Sequence, residues 1–320
     1  MRKSPHDSSN IVARSRGNSE IVSAGGQTAH PVTVILAWIS GVLILSNLPD
    51  VIFRTGTGAR ASPWWVPALA LLLLAAMLAV AMVWRPLYEL RGYALTLVAL
   101  AAGYLVESLI EQSSVWTSWN RSLSPGASFV LVNSAKVIPV LALALSLVGS
   151  RLSRQDLFLV VGNLRALFIR VGPRVSISWG WLLPIALLFS VGPVIANMVG
   201  VRHPDFATAG RILPLLPLLI AGAAVNTFSE EFLFRQVLLA RLIPIIGPAQ
   251  AIWLTALRFG IGHWFGNPSG LEGALLATIF GWFAAKSMLE TRGSGWIWVV
   301  HLINDVVIFS LIAMTTARWA

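Results

Sequence analysis

Apolar residues run along the chain in long blocks, at roughly 31–53, 63–84, 92–112, 128–149, 177–199, 212–240, 249–265, 271–289 and 295–316, parted by short polar breaks carrying Gly, Pro and Arg. Blocks of this length approach the ~20 apolar residues that an α-helix needs to cross a bilayer. Lipid offers the backbone no partner but itself, so such blocks read as helices. The pattern predicts an all-α protein, a polytopic transmembrane helical bundle of about nine spans, with eight to ten as the range. Between Leu157 and Val171 the pattern changes: Leu157, Val161, Leu164 and Phe168 recur at helical spacing, with Arg165 and Arg170 interspersed. That spacing predicts an interfacial amphipathic helix on the inner membrane surface.

Residues 1–30 are polar, rich in Ser, Gly and Asn, and carry Arg2, Lys3, Arg14 and Arg16. They hold too little apolar surface to fold alone and read as a disordered cytoplasmic basic tail. A cleaved signal peptide is the competing reading, because Ala59-Arg60-Ala61 resembles a small-x-small cleavage site. The long polar start and the length of the run that follows weigh against it.

Composition sharpens the membrane reading, with 56% hydrophobic residues, 11% charged and a mean hydropathy of +0.76. These values lie outside the range of soluble domains. A net charge of +10 would suggest a nucleic-acid partner in a soluble protein, but here Arg and Lys stand between apolar blocks. In that position they set topology and attract anionic lipid, so the bilayer is the expected partner and nucleic acid is not. With the tail inside, Arg85, Arg91, the stretch from Arg151 to Arg174, Arg241 and Arg292 fall on the inner side, against Arg54, Arg60, Arg121, Arg202 and Arg211 outside. The bias favours a cytoplasmic N-terminus. Trp64, Trp65, Trp84, Trp179, Trp264, Trp296 and Trp298 lie near block ends, where interfacial anchors are expected. The chain has no cysteine, which excludes disulfides, a thiol nucleophile and a thiolate metal site.

Ionisable groups inside apolar blocks are costly in lipid and mark function by default. Before residue 200 these are Glu107, Glu111 and Lys136; after it they are dense. The chain therefore divides into the tail (1–30), an N-terminal transmembrane region of unassigned role (31–200) and a core carrying the chemistry (205–316). In Ser229-Glu230-Glu231-Phe232-Leu233-Phe234-Arg235 the second glutamate stands four residues before the arginine, the favourable order for an ion pair on one helix face. Glu230 is rotated by about 100° from Glu231 and cannot fully share that arginine. A carboxylate in a water-poor site without a full partner suits a general base.

His263 stands in the next block, in Arg258-Phe259-Gly260-Ile261-Gly262-His263, and His301 in the last, with Asp305 one turn further on. Measured from the breaks at Pro244–Gly247 and Gly293–Gly295, Glu230 and His263 lie roughly 21 and 24 Å deep, and His301 and Asp305 roughly 9 and 15 Å. A cluster of all five acids and histidines, Glu231 included, is permitted, though staggered. The plainer readings are a buried ion pair and histidines that join helices by hydrogen bonds. Lys136 is expected to pair with Glu107, Arg258 to pair with an acid or snorkel, and Glu272 and His203 to be solvated.

Taken in order, Glu230, Glu231 and Arg235, then Phe259 and His263, then His301 and Asp305 resemble the pattern Glu-Glu-x-x-x-Arg, Phe-x-x-x-His, His-x-x-x-Asn/Asp. That pattern belongs to the CPBP (CAAX protease and bacteriocin-processing, or Abi) intramembrane endopeptidases, which include the Ras-converting CAAX prenyl endopeptidases. The resemblance covers about residues 212–316 and implies CAAX-type processing, the hydrolysis of a peptide bond in a membrane-associated peptide or protein. Substrates implied are prenylated CAAX-like chains, bacteriocins or signal peptides, at a bacterial plasma membrane.

By the resemblance, Glu230 with His263 would deprotonate water, and His301 with Asp305 would steady the oxyanion. Glu231 and Arg235 would hold the helix and tune the base, with Phe259 and Asn304 supporting. Many relatives have Asn where this chain has Asp305; an ionised Asp305 cannot donate to an oxyanion, so that role requires a protonated Asp305 or falls to Asn304 or a histidine. No cofactor is expected on this reading. Zinc on Glu230, His263 and His301, as in a metalloprotease, is the alternative, without the common His-Glu-x-x-His arrangement. The alternative function is a non-proteolytic binding or immunity protein, or a proton-coupled transporter, on the same scaffold.

Overall fold

The structure, a computed structural model, describes residues 30–172 and 175–315. The expected basic tail therefore lies outside the described residues except for His30, as does Arg174. Thirteen α-helices follow one another among the described residues: α1 (Pro31–Trp38), α2 (Leu48–Thr57), α3 (Trp65–Val83), α4 (Arg91–Glu111), α5 (Ser114–Ser122), α6 (Pro125–Ala135), α7 (Val137–Ser146), α8 (Trp179–Asn197), α9 (Ala209–Ile212), α10 (Leu216–Glu231), α11 (Val237–Gly262), α12 (Gly270–Thr291) and α13 (Gly295–Thr315). Wide π turns extend three of them, at Ile39–Ile44, Met198–Arg202 and Phe232–Gln236. A two-stranded antiparallel ribbon, β1 (Leu167–Arg170) with β2 (Ser176–Ser178), interrupts the helices.

Every apolar block of the sequence is helical over most of its length, yet six helical stretches among the described residues are long and apolar enough to span a bilayer. The count becomes seven if the bent pair Pro31–Ile44 and Leu48–Thr57, which turns through 41°, is one span. The expected nine separates further in two places. One apolar run, Phe206–Gly262, contains two blocks divided at Gly247, where φ 79° and ψ 162° break the helix between Pro244 and Pro248. Only glycine takes that backbone conformation without strain. The other is α12, whose Glu272 and Lys286 lower the apolar character of its block. The outward faces of α3, α8 and α12 expose Leu72, Leu188 and Leu275, as lipid-facing helices do.

The amphipathic helix expected over Leu157–Val171 is not formed; turns lead instead into β1. Three backbone bonds explain it: Asn163 N–H donates to the Thr291 carbonyl at 2.7 Å, and the Ser294 and Gly295 amides donate to Val160 and Val161. These tertiary bonds, with β-branched Ile169 and Ile177 paired across the ribbon, outweigh a helical apolar period. The segment straps the break between α12 and α13.

Trp64, Trp65 and Trp84 are exposed near helix ends, as anchors should be, but Trp179 and Trp296 are buried. The two rings meet edge to face at 4.8 Å, and the Trp179 indole donates to Glu290 at 2.8 Å. They are core residues that lock α8 to α12 and α13. The larger core gathers α4 and α11, with Tyr93, Leu97, Leu100, Leu238, Leu242 and Leu254 all buried.

α11 and α12 cross at backbone contact, Gly260 lying against Thr278 and the Ala274 carbonyl. A Cβ at Gly260 would overlap both atoms, so Gly260→Ala is expected to lower stability by about 1–3 kcal/mol, the range for overpacking a tight contact. Thermal unfolding in detergent checks it, and an unchanged midpoint would refute the close packing.

Candidate active site

The sequence puts two acids at the end of α10 and an arginine in the π turn that follows, and the structure pairs them as spacing predicts. Arg235 bonds to Glu231, and both side chains are sealed from solvent. Arg235 also lies over the Phe259 ring at 3.9 Å and near Phe280 at 5.7 Å. Its Nε and Nη2 have no hydrogen-bond acceptor among the described residues, so one carboxylate and two aromatic faces hold the guanidinium.

His301, on α13, turns one ring edge to each glutamate. Its Nδ1 lies 2.6 Å from Glu231 Oε1, and its Nε2 lies 3.4 Å from Glu230 Oε2 and 3.7 Å from Asp305 Oδ1. Carboxylates at both ring nitrogens favour a ring that donates from each. Glu230 keeps 17% of its side chain exposed against 1% for Glu231, so only the first is within reach of water. The expected asymmetry of the pair is present.

His263 ends α11, and its Nδ1 lies 2.9 Å from the Phe259 carbonyl. A neutral ring that donates there leaves Nε2 as an acceptor. Phe259 lies tilted against His263 at 4.2 Å and meets His301 edge-on at 6.0 Å, spacing the two imidazoles. His263, His301, Asn304 and Asp305 line a cavity of about 460 Å³ that also takes in Phe280 of α12 and Phe189, Ser190 and Pro193 of α8. The residues expected to act together therefore converge, with Glu230 joined to the group through His301.

Asp305 Oδ2 accepts from Thr227 Oγ1 at 2.8 Å and from Asn226 Nδ2 at 3.0 Å, so this carboxyl is held as an acceptor. Asn304 is committed elsewhere, its Nδ2 donating to Ser190 Oγ and to the Val300 carbonyl. Neither carries a free donor toward the cavity.

Several partners were not foreseen. Asn226 and Thr227 stand four residues before Glu230 and Glu231, a same-face spacing that could have drawn attention to them. Lys136, expected at Glu107, instead donates to Asn226 Oδ1 and stands 3.9 Å from Glu230 Oε1. Arg258, expected at an acid or an interface, is buried, donates to the Leu233 carbonyl and the Tyr104 hydroxyl, and stacks on Phe234. Glu272 and His203 are exposed as expected.

Zinc would require Glu230, His263 and His301 to point unprotonated donors at one centre. Among the described residues no three His, Asp or Glu side chains are so arranged. His301 Nε2 is already directed at two carboxylates. The donor set does not fit a metal.

Residues 212–307 match the family model described as Rce1-like, type II CAAX prenyl endopeptidase Rce1-like. No curated protein and no solved structure matches the chain.

Proposed function

We propose, from the match of residues 212–307 to the Rce1-like CAAX prenyl endopeptidase model and their resemblance to the CPBP pattern, that this integral membrane protein hydrolyses a peptide bond of a membrane-associated substrate by a glutamate-activated water. The observation that carries the reading is the meeting of Glu230, Glu231 and Asp305 on one imidazole, His301, beside a cavity that His263 also lines. Residues 205–316 form the catalytic core on this reading.

Glu230 is the base. Part of its side chain stays exposed to water, while its Oε2, itself buried, faces His301 Nε2 at 3.4 Å and has no hydrogen-bond partner among the described residues. His263 presents an acceptor nitrogen that orients the same water as it attacks the carbonyl carbon. The proton passes to Glu230 and then to the leaving amine. Charge developing on the carbonyl oxygen is met by the His301 N–H, held by Glu231 behind it and Asp305 beside it. Asp305 acts through His301 instead of donating, because its Oδ2 accepts from both Asn226 and Thr227 while its Oδ1 faces His301 Nε2. Glu231 and Arg235 are the buried footing of the site. The cavity, walled largely by aliphatic and aromatic side chains, suits an apolar chain beside the scissile bond, a prenylated CAAX-like end or the apolar stretch of a bacteriocin or signal peptide.

The test uses the purified full-length protein in liposomes with a farnesylated peptide ending in a CAAX sequence, and with unprenylated bacteriocin-leader and signal peptides, followed by mass spectrometry. Release of a C-terminal fragment from one of them is expected; intact peptide throughout would sink the proposal. Excess chelator is expected to leave the rate unchanged, since the acid and histidine donors do not converge on a metal position. Loss of cleavage that zinc restores would overturn the metal-free mechanism.

A further inference from the structure

Lys136 comes from the N-terminal half of the chain, far outside residues 212–307, yet its ammonium stands at the proposed base. It caps α6 at the junction with α7 and reaches the C-terminal end of α10. Two close approaches fix the backbone that carries it. Gly222 of α10 lies against the Phe129 ring of α6, and Gly103 of α4 lies against Pro139 of α7; a Cβ at either glycine would overlap its neighbour. Phe129 also meets Phe309 of α13 edge to face at 5.0 Å. The junction is thus clamped between α4 on one side and α10 and α13 on the other.

From there Lys136 touches both arms of the site. It donates to Asn226 Oδ1, whose Nδ2 donates in turn to Asp305 Oδ2, and it stands 3.9 Å from Glu230 Oε1. Three carboxylates, Glu230, Glu231 and Asp305, surround His301. Arg235 is bonded to Glu231, so Lys136 and His301 are the cationic side chains within ion-pair distance of Glu230 among the described residues. Without the lysine, repulsion among like charges would drive Glu230 away from His301 and leave the Asn226 amide free to turn off Asp305. About a third of the lysine side chain stays exposed, so the ammonium keeps its hydration while facing the acid.

We infer that Lys136 is a positioning residue, supplied by the N-terminal half, that holds Glu230 and, through Asn226, Asp305 against the two sides of His301. The inference rests on the proposed hydrolysis, and it gives residues 31–200 a part in the site.

The test compares Lys136→Met, which keeps length without charge, and Lys136→Arg with wild type, all full-length in liposomes with the cleaved reporter peptide. Lys136→Met is expected to lower kcat by about 10- to 100-fold with KM within about twofold, because the alignment it provides matters at the transition state. Lys136→Arg is expected to recover most of the rate. A rise in KM with kcat unchanged, or an arginine variant as slow as methionine, would overturn the inference. A second measurement needs no substrate. Thermal unfolding of Lys136→Met is expected to shift downward beside Glu230 and to shift much less in a Glu230→Gln background, as coupled residues do. Equal shifts in the two backgrounds would refute the contact. If wild type cleaves nothing, the proposed hydrolysis fails while the unfolding cycle still decides the role of Lys136.

Discussion

Glu230→Gln is expected to abolish cleavage while leaving the protein folded, with kcat down by about 10²- to 10⁴-fold, the range for removing a general base. Glutamine has nearly the same shape and still fills the space between Lys136 and His301, but it cannot take a proton from water. Because Glu230 is partly exposed and its Oε2 carries no hydrogen bond among the described residues, the change removes little that supports the fold. The unfolding midpoint should therefore stay near that of wild type while product falls to the background of protein-free liposomes. A variant that cleaves within about threefold of wild type would remove Glu230 from the mechanism, since general bases contribute far more than that.

Arg235→Met should do the reverse, striking stability first. The guanidinium is fully buried and shares Glu231 with His301, so its loss leaves a sealed carboxylate with one partner where it had two. Breaking a buried pair from one side costs about 3–5 kcal/mol, and the stack on Phe259 is lost as well. Denaturant titration in detergent micelles measures this, and a loss under about 1 kcal/mol would show that the pair is not sealed as described. Replacing both partners, as Glu231→Leu with Arg235→Met, should recover part of the stability because no charge is then left unpaired. It should not recover activity, since His301 would lose the acceptor at Nδ1.

Contacts within one helix were legible from spacing. Glu231 with Arg235 and His301 with Asp305 stand four apart, and both pairs face each other in the structure even though a π turn follows Glu231. The break at Gly247 was legible too, because Pro and Gly mark it. Contacts between distant blocks were not. Lys136 reaches across 90 residues to Asn226, and Asn304 across 114 to Ser190; no local period encodes either meeting. Hydropathy also gives the same signal for a tryptophan at a lipid interface and one in a core, which is why Trp179 and Trp296 were misplaced. The strap at 160–163 failed for a related reason: its partner is the backbone of a turn some 130 residues away, and amide donors leave no mark on apolar spacing. In each case the deciding energy was tertiary, and sequence reasoning held only the local share of it.

The wide turn at Phe232–Gln236 also governs the timing of the helix as a screw. Accommodating one more residue than an α-helical turn delays the rest of its helical arm, as far as the break at Gly247, by about 100°. Glu230 and Glu231 lie before that delay, the arm from Val237 to the break at Gly247 lies after it, and His263 ends a further arm beyond that break. The two ends are therefore geared separately. Arg258, on the arm that ends at His263, ties that arm back to the wide turn by donating to the Leu233 carbonyl.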